Sequence, residues 1–350
     1  MKKISIVGPV PDHDGISTVL SHVLNDKKFK KEFKIEMFLY RRPTNRDFLD
    51  NFQKKFKINF SKKTNSIGWT LDFINYLIKF SGNAVIILSP LQVATAHFVK
   101  KIFRKKYKII SWMHKSSTDP GLGKKFKFLK YADYNLAISN GIKNELNNIG
   151  ISDDKIGVIY NPVSKKKRTI YPNNKHCEFV YVGRIVLDGQ KNLRGLLNCL
   201  SSIDGNWIFN IYGSGDDLSE LKEIVNSNDI LNQHVRVNGW IDKPFEKIKT
   251  ANALLLNSNF EGFPMTLAEA ISYGIPCIST DCPTGPSDII KDGVNGYLYE
   301  IGNYTELTDI LVKFVSRKVD FNTESIKKSI DFIYEDRYDQ ILLDKLKSNI

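Results

Sequence analysis

The sequence predicts an α/β protein of two doubly wound parallel sheets, facing each other across a cleft. Short apolar runs read as buried strands and alternate with amphipathic helical segments along most of the chain. The alternation breaks at the polar stretch SKKKRTIYPNNKH, 164–176, which reads as an inter-domain linker, and then restarts. A length of 350 residues suits two domains. Residues 1–163 are assigned to the first and 164–325 to the second, with a C-terminal helix at about 326–350 returning to the first.

In the first half, KKISIVGPV is a strand, PVPDHDG a turn and ISTVLSHVLN a helix, with Gly15 at the junction. The spacing is not GxGxxG, so nicotinamide binding is unsupported. IEMFLY (35–40) is a strand, followed by a polar basic stretch and the helix TLDFINYLIKF. NAVIILSP is a buried strand, QVATAHFVKKIFR a helix, and YKIISWMHKS a strand ending at His114. KKFKFLKYA reads as helical, YNLAISN as a strand, GIKNELNNIG as a helix closed by Gly150, and KIGVIYNPV as the closing strand and turn.

In the second half the strands are EFVYVGR, WIFNIYGSG, VRVNGWI, ALLLNS and PCISTD. The helices NLRGLLNCLSSI, DLSELKEIVNS, PFEKIKTAN and MTLAEAISYG fall between them. SDIIKDGVNGYLYE and a helix near 304–316 follow, and the tail from ESIKKSIDFIY onward is one amphipathic helix or a kinked pair.

Composition narrows the class. No apolar run has the length of a membrane span, and MKKISIVGPV is too short and strand-like for a signal peptide, which predicts a cytoplasmic protein. Cys177, Cys199, Cys277 and Cys282 form no CxxC pair and read as buried thiols. The net charge is +13, and residues 1–160 hold 29 Lys+Arg against 13 Asp+Glu. The excess lies in four clusters interleaved with aromatic residues, at 27–34, 54–63, 100–108 and 124–130. Such segments suit an anionic membrane surface or an acidic glycolipid. A merely solvated surface stays open as the alternative, and no nucleic-acid-binding motif accompanies the charge.

Candidate site residues cluster at predicted strand ends of the second half. Arg184 follows one strand and Lys191 precedes the next helix, two fixed cations suited to a diphosphate. Tyr212, Gly213 and Gly215 end another strand, where glycine permits close approach to a ligand. Trp240 either stacks on a base or fills the core. In EGFPMTLAE, Pro264 takes the first helical position, and the free amides of Met265, Thr266 and Leu267, with the Thr266 hydroxyl, form an anion site. Glu269, one turn on, can accept two ribose hydroxyls, and Glu261 in the turn can hold a sugar.

The motifs GR…QKN, IYGSGD, EGFPMTLAEAISYGIPCIS and DGVNGYLY resemble the retaining glycosyltransferases of family 4. The likeness is close over 178–300 and looser over the first half. It implies the GT-B fold of two Rossmann-like domains. Within the family, YADYNLAISNGIK, VIYNPVS and DC-x-x-GP-x-D-x-IK are similar to the subgroup that adds galactose from UDP-galactose to the lipopolysaccharide core in 1,6 linkage. The resemblance implies that Arg184 and Lys191 bind the donor diphosphate, Met265–Leu267 the phosphate through their backbone, and Glu269 the ribose. Tyr212 and Trp240 lie beside the uracil. Glu261 approaches the transferred sugar, His114 reaches it from across the cleft, and Gly15 keeps a close-approach role. Asp12 or Asp14, where relatives often have paired glycines, leaves the acceptor contacts open. The expectation is a metal-independent enzyme without cofactor, peripheral to the inner face of the cytoplasmic membrane, acting on UDP-sugar and a lipopolysaccharide core sugar. Two alternatives remain: an O-antigen, capsule or teichoic acid acceptor, or a catalytically silent nucleotide-sugar-binding subunit that recruits a partner to the membrane.

Overall fold

The computed structural model describes residues 1–8, 15–42, 52 and 54–350. The chain divides into two units, Met1–Pro162 with Asp336–Ile350, and Val163–Glu335. In the first unit the strands are Lys2–Gly8 (β1), Phe33–Leu39 (β2), Lys57–Phe60 (β3), Ala84–Ile87 (β4), Lys108–Met113 (β5), Tyr134–Ala137 (β6) and Ile156–Val158 (β7). They pair in the order β3-β2-β1-β4-β5-β6-β7, and every pairing is parallel.

The second unit repeats the plan. Its strands are Cys177–Val182 (β8), Trp207–Tyr212 (β9), Val235–Gly239 (β10), Ala253–Leu256 (β11), Cys277–Thr280 (β12) and Gly296–Tyr299 (β13). The order is β10-β9-β8-β11-β12-β13, again all parallel.

β4, β11 and β12 are buried at every position. Consecutive burial, rather than alternation, follows from covering both faces of a parallel sheet, and it explains why these runs are continuously apolar. The strand order reverses between β1 and β4 and between β8 and β11. Those are the switch points at which open α/β sheets leave a crevice beyond their strand ends.

Several expectations need correction. The basic stretch after β2 contains an edge strand, β3, paired with β2 from Glu36↔Lys57 to Leu39↔Phe60. KKFKFLKYA folds as the 3-10 helix Gly123–Tyr131. The stretch 164–176 is not a linker. Ile170 is fully buried, its amide bonds to the Tyr273 carbonyl at 2.8 Å, and Arg168 donates to the carbonyls of Phe245, Glu246 and Ile248. Residues 326–335 stay with the second unit: Asn295 Nδ2 donates to Ser329 Oγ at 2.6 Å, and the Val163 amide donates to the Ile333 carbonyl at 3.0 Å. Only the helix Glu335–Asn349 returns to the first unit, where Asp339 pairs with His22 at 2.7 Å.

Candidate active site

The sites expected from the sequence converge on the β8/β11 switch point. β8 ends at Val182, and the Tyr181 hydroxyl holds the turn by donating to the Arg184 carbonyl at 2.7 Å. Arg184 is exposed and donates from Nη2 to Gln190 Oε1 at 2.6 Å. The loop from Gly189 to Asn192 is sewn to the segment after β11. Asn259 donates from its amide to the Gln190 carbonyl at 2.8 Å and from Nδ2 to the Gly189 carbonyl at 2.5 Å. Asn257 Nδ2 donates to the Asn192 carbonyl at 2.8 Å, and the buried Tyr299 hydroxyl fixes Asn257 Oδ1 at 2.8 Å. Asn192 sits at φ 47°, a left-handed conformation that asparagine tolerates better than most side chains.

That sewing delivers Lys191 to Glu261. Nζ and Oε1 are 2.5 Å apart, with side chains only 14% and 8% exposed. In this state the lysine charge is therefore already matched by a carboxylate. An incoming phosphate has to share it or displace Glu261 from it.

The Met265–Ser272 helix begins one residue later than expected, with Pro264 as its N-cap rather than its first helical residue. The amides of Met265 and Thr266 have no acceptor among the described residues, as a helix start leaves them. The Leu267 amide is not open: it donates to the Pro264 carbonyl at 3.0 Å. Nor is the Thr266 hydroxyl proton, which goes to the Val182 carbonyl at 3.0 Å and ties the helix to the end of β8. Of the three amides and the hydroxyl expected there, two amides stay open among the described residues. Gly285, at φ 97°, lets the following loop close over this turn, since a Cβ there would lie 2.5 Å from Pro264 Cδ.

Glu269 is partly exposed, and burial pushes its pKa up to about 7 against the opposing charge of Lys166. No hydrogen-bond partner holds the carboxylate among the described residues. Lys166 lies 5.6 Å from the ring centre of Tyr273, one turn beyond Glu269 on the same helix. Sequence reasoning missed Lys166 because it took 164–176 for a linker. It also missed Ser258, whose fully buried hydroxyl is unpartnered just past β11.

The neighbouring strand ends carry the remaining candidates. Tyr212, half-buried, ends β9, and Trp240 follows β10 with 67% exposure, which removes the core reading for that indole. Packing alone requires glycine at Gly213 and Gly215. A Cβ on Gly213 would stand 1.8 Å from the Gly183 carbonyl oxygen, and one on Gly215 would stand 2.0 Å from that of Ile185. Their bareness lets the turn that carries Arg184 lie against β9.

In the first unit, Gly15 opens the helix Gly15–Asn25. Asp12 and Asp14 lie outside the described residues. His114 follows β5, with its ring 5.1 Å from that of Trp112. The residue is half-buried, but Nε2 is fully enclosed and unpartnered, and burial pushes its pKa down to about 3. It is a neutral imidazole near neutral pH.

A family model for glycosyl transferases group 1 matches residues 163–337, the span of the second unit. The lipopolysaccharide 1,6-galactosyltransferase of Salmonella typhimurium is 35% identical, over 96% of this chain and 96% of that protein. The chain belongs to the group 1 glycosyl transferases. The solved structure of the lipopolysaccharide outer core galactosyltransferase WaaB, in its apo form, is 34% identical, covers all of both chains and superposes with a TM-score of 0.90. Anabaena HepE, solved in complex with UDP, is 14% identical over 99% of this chain and 100% of that one, with a TM-score of 0.81, a likeness of fold alone. This chain is a glycosyltransferase with the GT-B fold, as its sequence resemblance implied.

Proposed function

We propose that the protein transfers galactose from UDP-galactose to a lipopolysaccharide core sugar in 1,6 linkage, with retention at the anomeric carbon. One observation carries the donor half of this reading. Two cations, two open helix amides and an unpartnered carboxylate gather at one switch point. The acceptor half rests on full-length similarity to the lipopolysaccharide 1,6-galactosyltransferases.

In this reading Arg184, Lys191 and the amides of Met265 and Thr266 hold the diphosphate. As the sugar–phosphate bond breaks, charge grows on the departing UDP and meets donors already in place. Two fixed cations do the work a divalent metal would do, so the reaction runs without one. Glu269 accepts the ribose hydroxyls, and Tyr212 and Trp240 flank the uracil. Glu261 alternates between Lys191 and the transferred sugar. The acceptor hydroxyl attacks from the face the leaving group vacates and passes its proton to the departing phosphate oxygen, while His114, a neutral imidazole, hydrogen-bonds the sugar.

The enzyme works at the cytoplasmic face of an anionic membrane, where its glycolipid acceptor lies. Among the described residues no helix is long and apolar enough to cross that membrane. UDP release from a panel of UDP- and GDP-sugars, with and without a truncated core acceptor, tests the proposal. Turnover of UDP-galactose that requires the acceptor is expected. A preference for GDP-sugars, or release indifferent to the acceptor, would overturn it.

A further inference from the structure

The basic clusters at 27–34, 100–108 and 124–130 do not share one surface. In the cluster at 27–34 the rings of Phe29 and Phe33 are core residues, and the lysines decorate the β2–β3 side of the sheet. The clusters at 100–108 and 124–130 instead meet. The Pro90–Ile102 helix packs on the Gly123–Tyr131 segment, with the rings of His97 and Phe98 centred 4.9 and 5.8 Å from that of Tyr131.

On that helix Val93, Ala96 and Val99 face the core. Leu91, Phe98 and Ile102 recur on the other side, at positions i, i+7 and i+11, and stay exposed, Phe98 at 52% and Ile102 at 71%. Phe103, which caps the helix, is exposed as well, and the adjoining Ser66–Lys79 helix exposes Ile67 and Leu71. Charge surrounds it. Lys100 is committed to Asp133 at 2.7 Å and Lys105 to the Ile78 carbonyl at 2.7 Å. Lys101, Arg104, Lys106, Lys124, Lys127 and Lys130 are exposed, with no carboxylate partner among the described residues. An exposed apolar stripe on a soluble unit marks an interaction surface. A stripe rimmed by unpaired cations matches a surface that is apolar within and anionic at its boundary, which is a bilayer of anionic lipids.

We propose that this face seats the enzyme on an anionic bilayer, with Phe98, Ile102 and Phe103 at the acyl boundary and the lysines among the headgroups. The proposal rests on the reading that the enzyme works at such a membrane, and adds which face holds it. The cluster at 27–34, in the helix Lys27–Glu32 and the start of β2, has no part in docking.

Co-sedimentation of the full chain with phosphatidylcholine vesicles, with and without phosphatidylglycerol, tests it. The wild type should bind only the anionic vesicles. Phe98→Ser with Ile102→Ser should weaken binding about tenfold, and Lys101→Gln with Lys106→Gln by about tenfold or more. Lys28→Gln with Lys31→Gln should leave it unchanged, as should all three variants the turnover of a soluble core oligosaccharide. A wild type that ignores anionic vesicles overturns the membrane reading itself. Binding by the wild type that survives Phe98→Ser with Ile102→Ser, or falls as far with Lys28→Gln and Lys31→Gln, overturns only the choice of face. A self-associating wild type that becomes monomeric on losing Phe98 and Ile102, with vesicle binding intact, assigns the stripe to a second copy and overturns the proposal.

Discussion

At the C-terminal ends of β8 and β11 the second unit gathers charge: Arg184, Lys191, Glu261 and Glu269, with two open amides between them. Near the ends of β4 and β5 in the first unit, three neutral polar atoms are enclosed. Gln92 Oε1, Trp112 Nε1 and His114 Nε2 are all buried without hydrogen-bond partners among the described residues, while Lys115, which follows β5, is paired with Asp119 at 2.9 Å, and Arg41 and Arg42 past β2 are exposed. A diphosphate needs fixed cations, whereas a sugar hydroxyl needs neutral donors and acceptors. The two sheets thus differ in the groups they enclose at these strand ends, a difference in keeping with the proposal of a donor held by the second unit and an acceptor served by the first.

The contrast breaks most visibly at Lys191. Lys191→Met should lower the rate of UDP release about 100- to 1000-fold, the usual cost of losing a preorganised group at a developing charge. It should also cost on the order of 3 kcal/mol of stability, because Glu261 is left buried and unpaired. Adding Glu261→Gln should restore the melting temperature and leave the rate low. If stability and rate recovered together, Lys191 would be a structural residue only.

Gly213→Ala probes the support beneath Arg184. The new methyl would collide with the Gly183 carbonyl, and both sides of the contact are backbone. A loss of about 1–3 kcal/mol in denaturant melts is expected, with weaker UDP affinity as the Arg184 turn shifts. Unchanged affinity in a destabilised variant would separate that turn from the donor site.

This glycine shows where sequence reading stops. That Gly213 sits at a strand end is written in the local pattern WIFNIYGSG, but its neighbour is Gly183, brought there by β8–β9 pairing. The same holds for Thr266, whose hydroxyl is legible as a phosphate ligand until the end of β8 turns out to take its proton. Long apolar runs such as Ala253–Leu256 were readable because burial on both faces leaves a purely local signature. The edge strand Lys57–Phe60 is only partly covered and sits between lysine-rich flanks, so it carried none. Polar composition likewise hid 164–176, where a single buried side chain, Ile170, anchors the segment. The acids and cations of the site were legible because nothing in packing asks for them; their pairing was not.

Proton linkage sharpens the comparison, because the two units carry buried groups with opposite signs. His114 ionises near 3 rather than 6.5, so its stabilising contribution is present above pH 6.5 and is lost as pH falls toward 3. Glu269 ionises near 7 rather than 4.5, so its contribution is present below pH 4.5 and is lost as pH rises through 7. Between pH 6.5 and about 5, His114→Gln should remove an acid-side loss of about 1–2 kcal/mol. Glu269→Gln should make the protein relatively more stable at alkaline pH, while weakening UDP-sugar binding there about tenfold. Urea melts across this range check the signs. Parallel stability curves for the two variants would refute the assignment of opposite linkage.

The smallest effect belongs to Lys166, and it tests whether 164–176 serves the site or merely packs against it. Lys166 is the charge that opposes the upward shift of Glu269, so Lys166→Gln should raise the ionisation midpoint of Glu269 further. Donor binding requires the ionised carboxylate in the proposed scheme. The pH at which UDP-sugar affinity is half lost on acidification should therefore move upward, with the affinity at high pH nearly intact. Lys166→Arg should restore the midpoint, because it returns the charge above Tyr273. A fall in affinity equal at every pH would instead place Lys166 directly on the donor phosphates, and would add to the site a cation from a stretch whose composition reads as a linker.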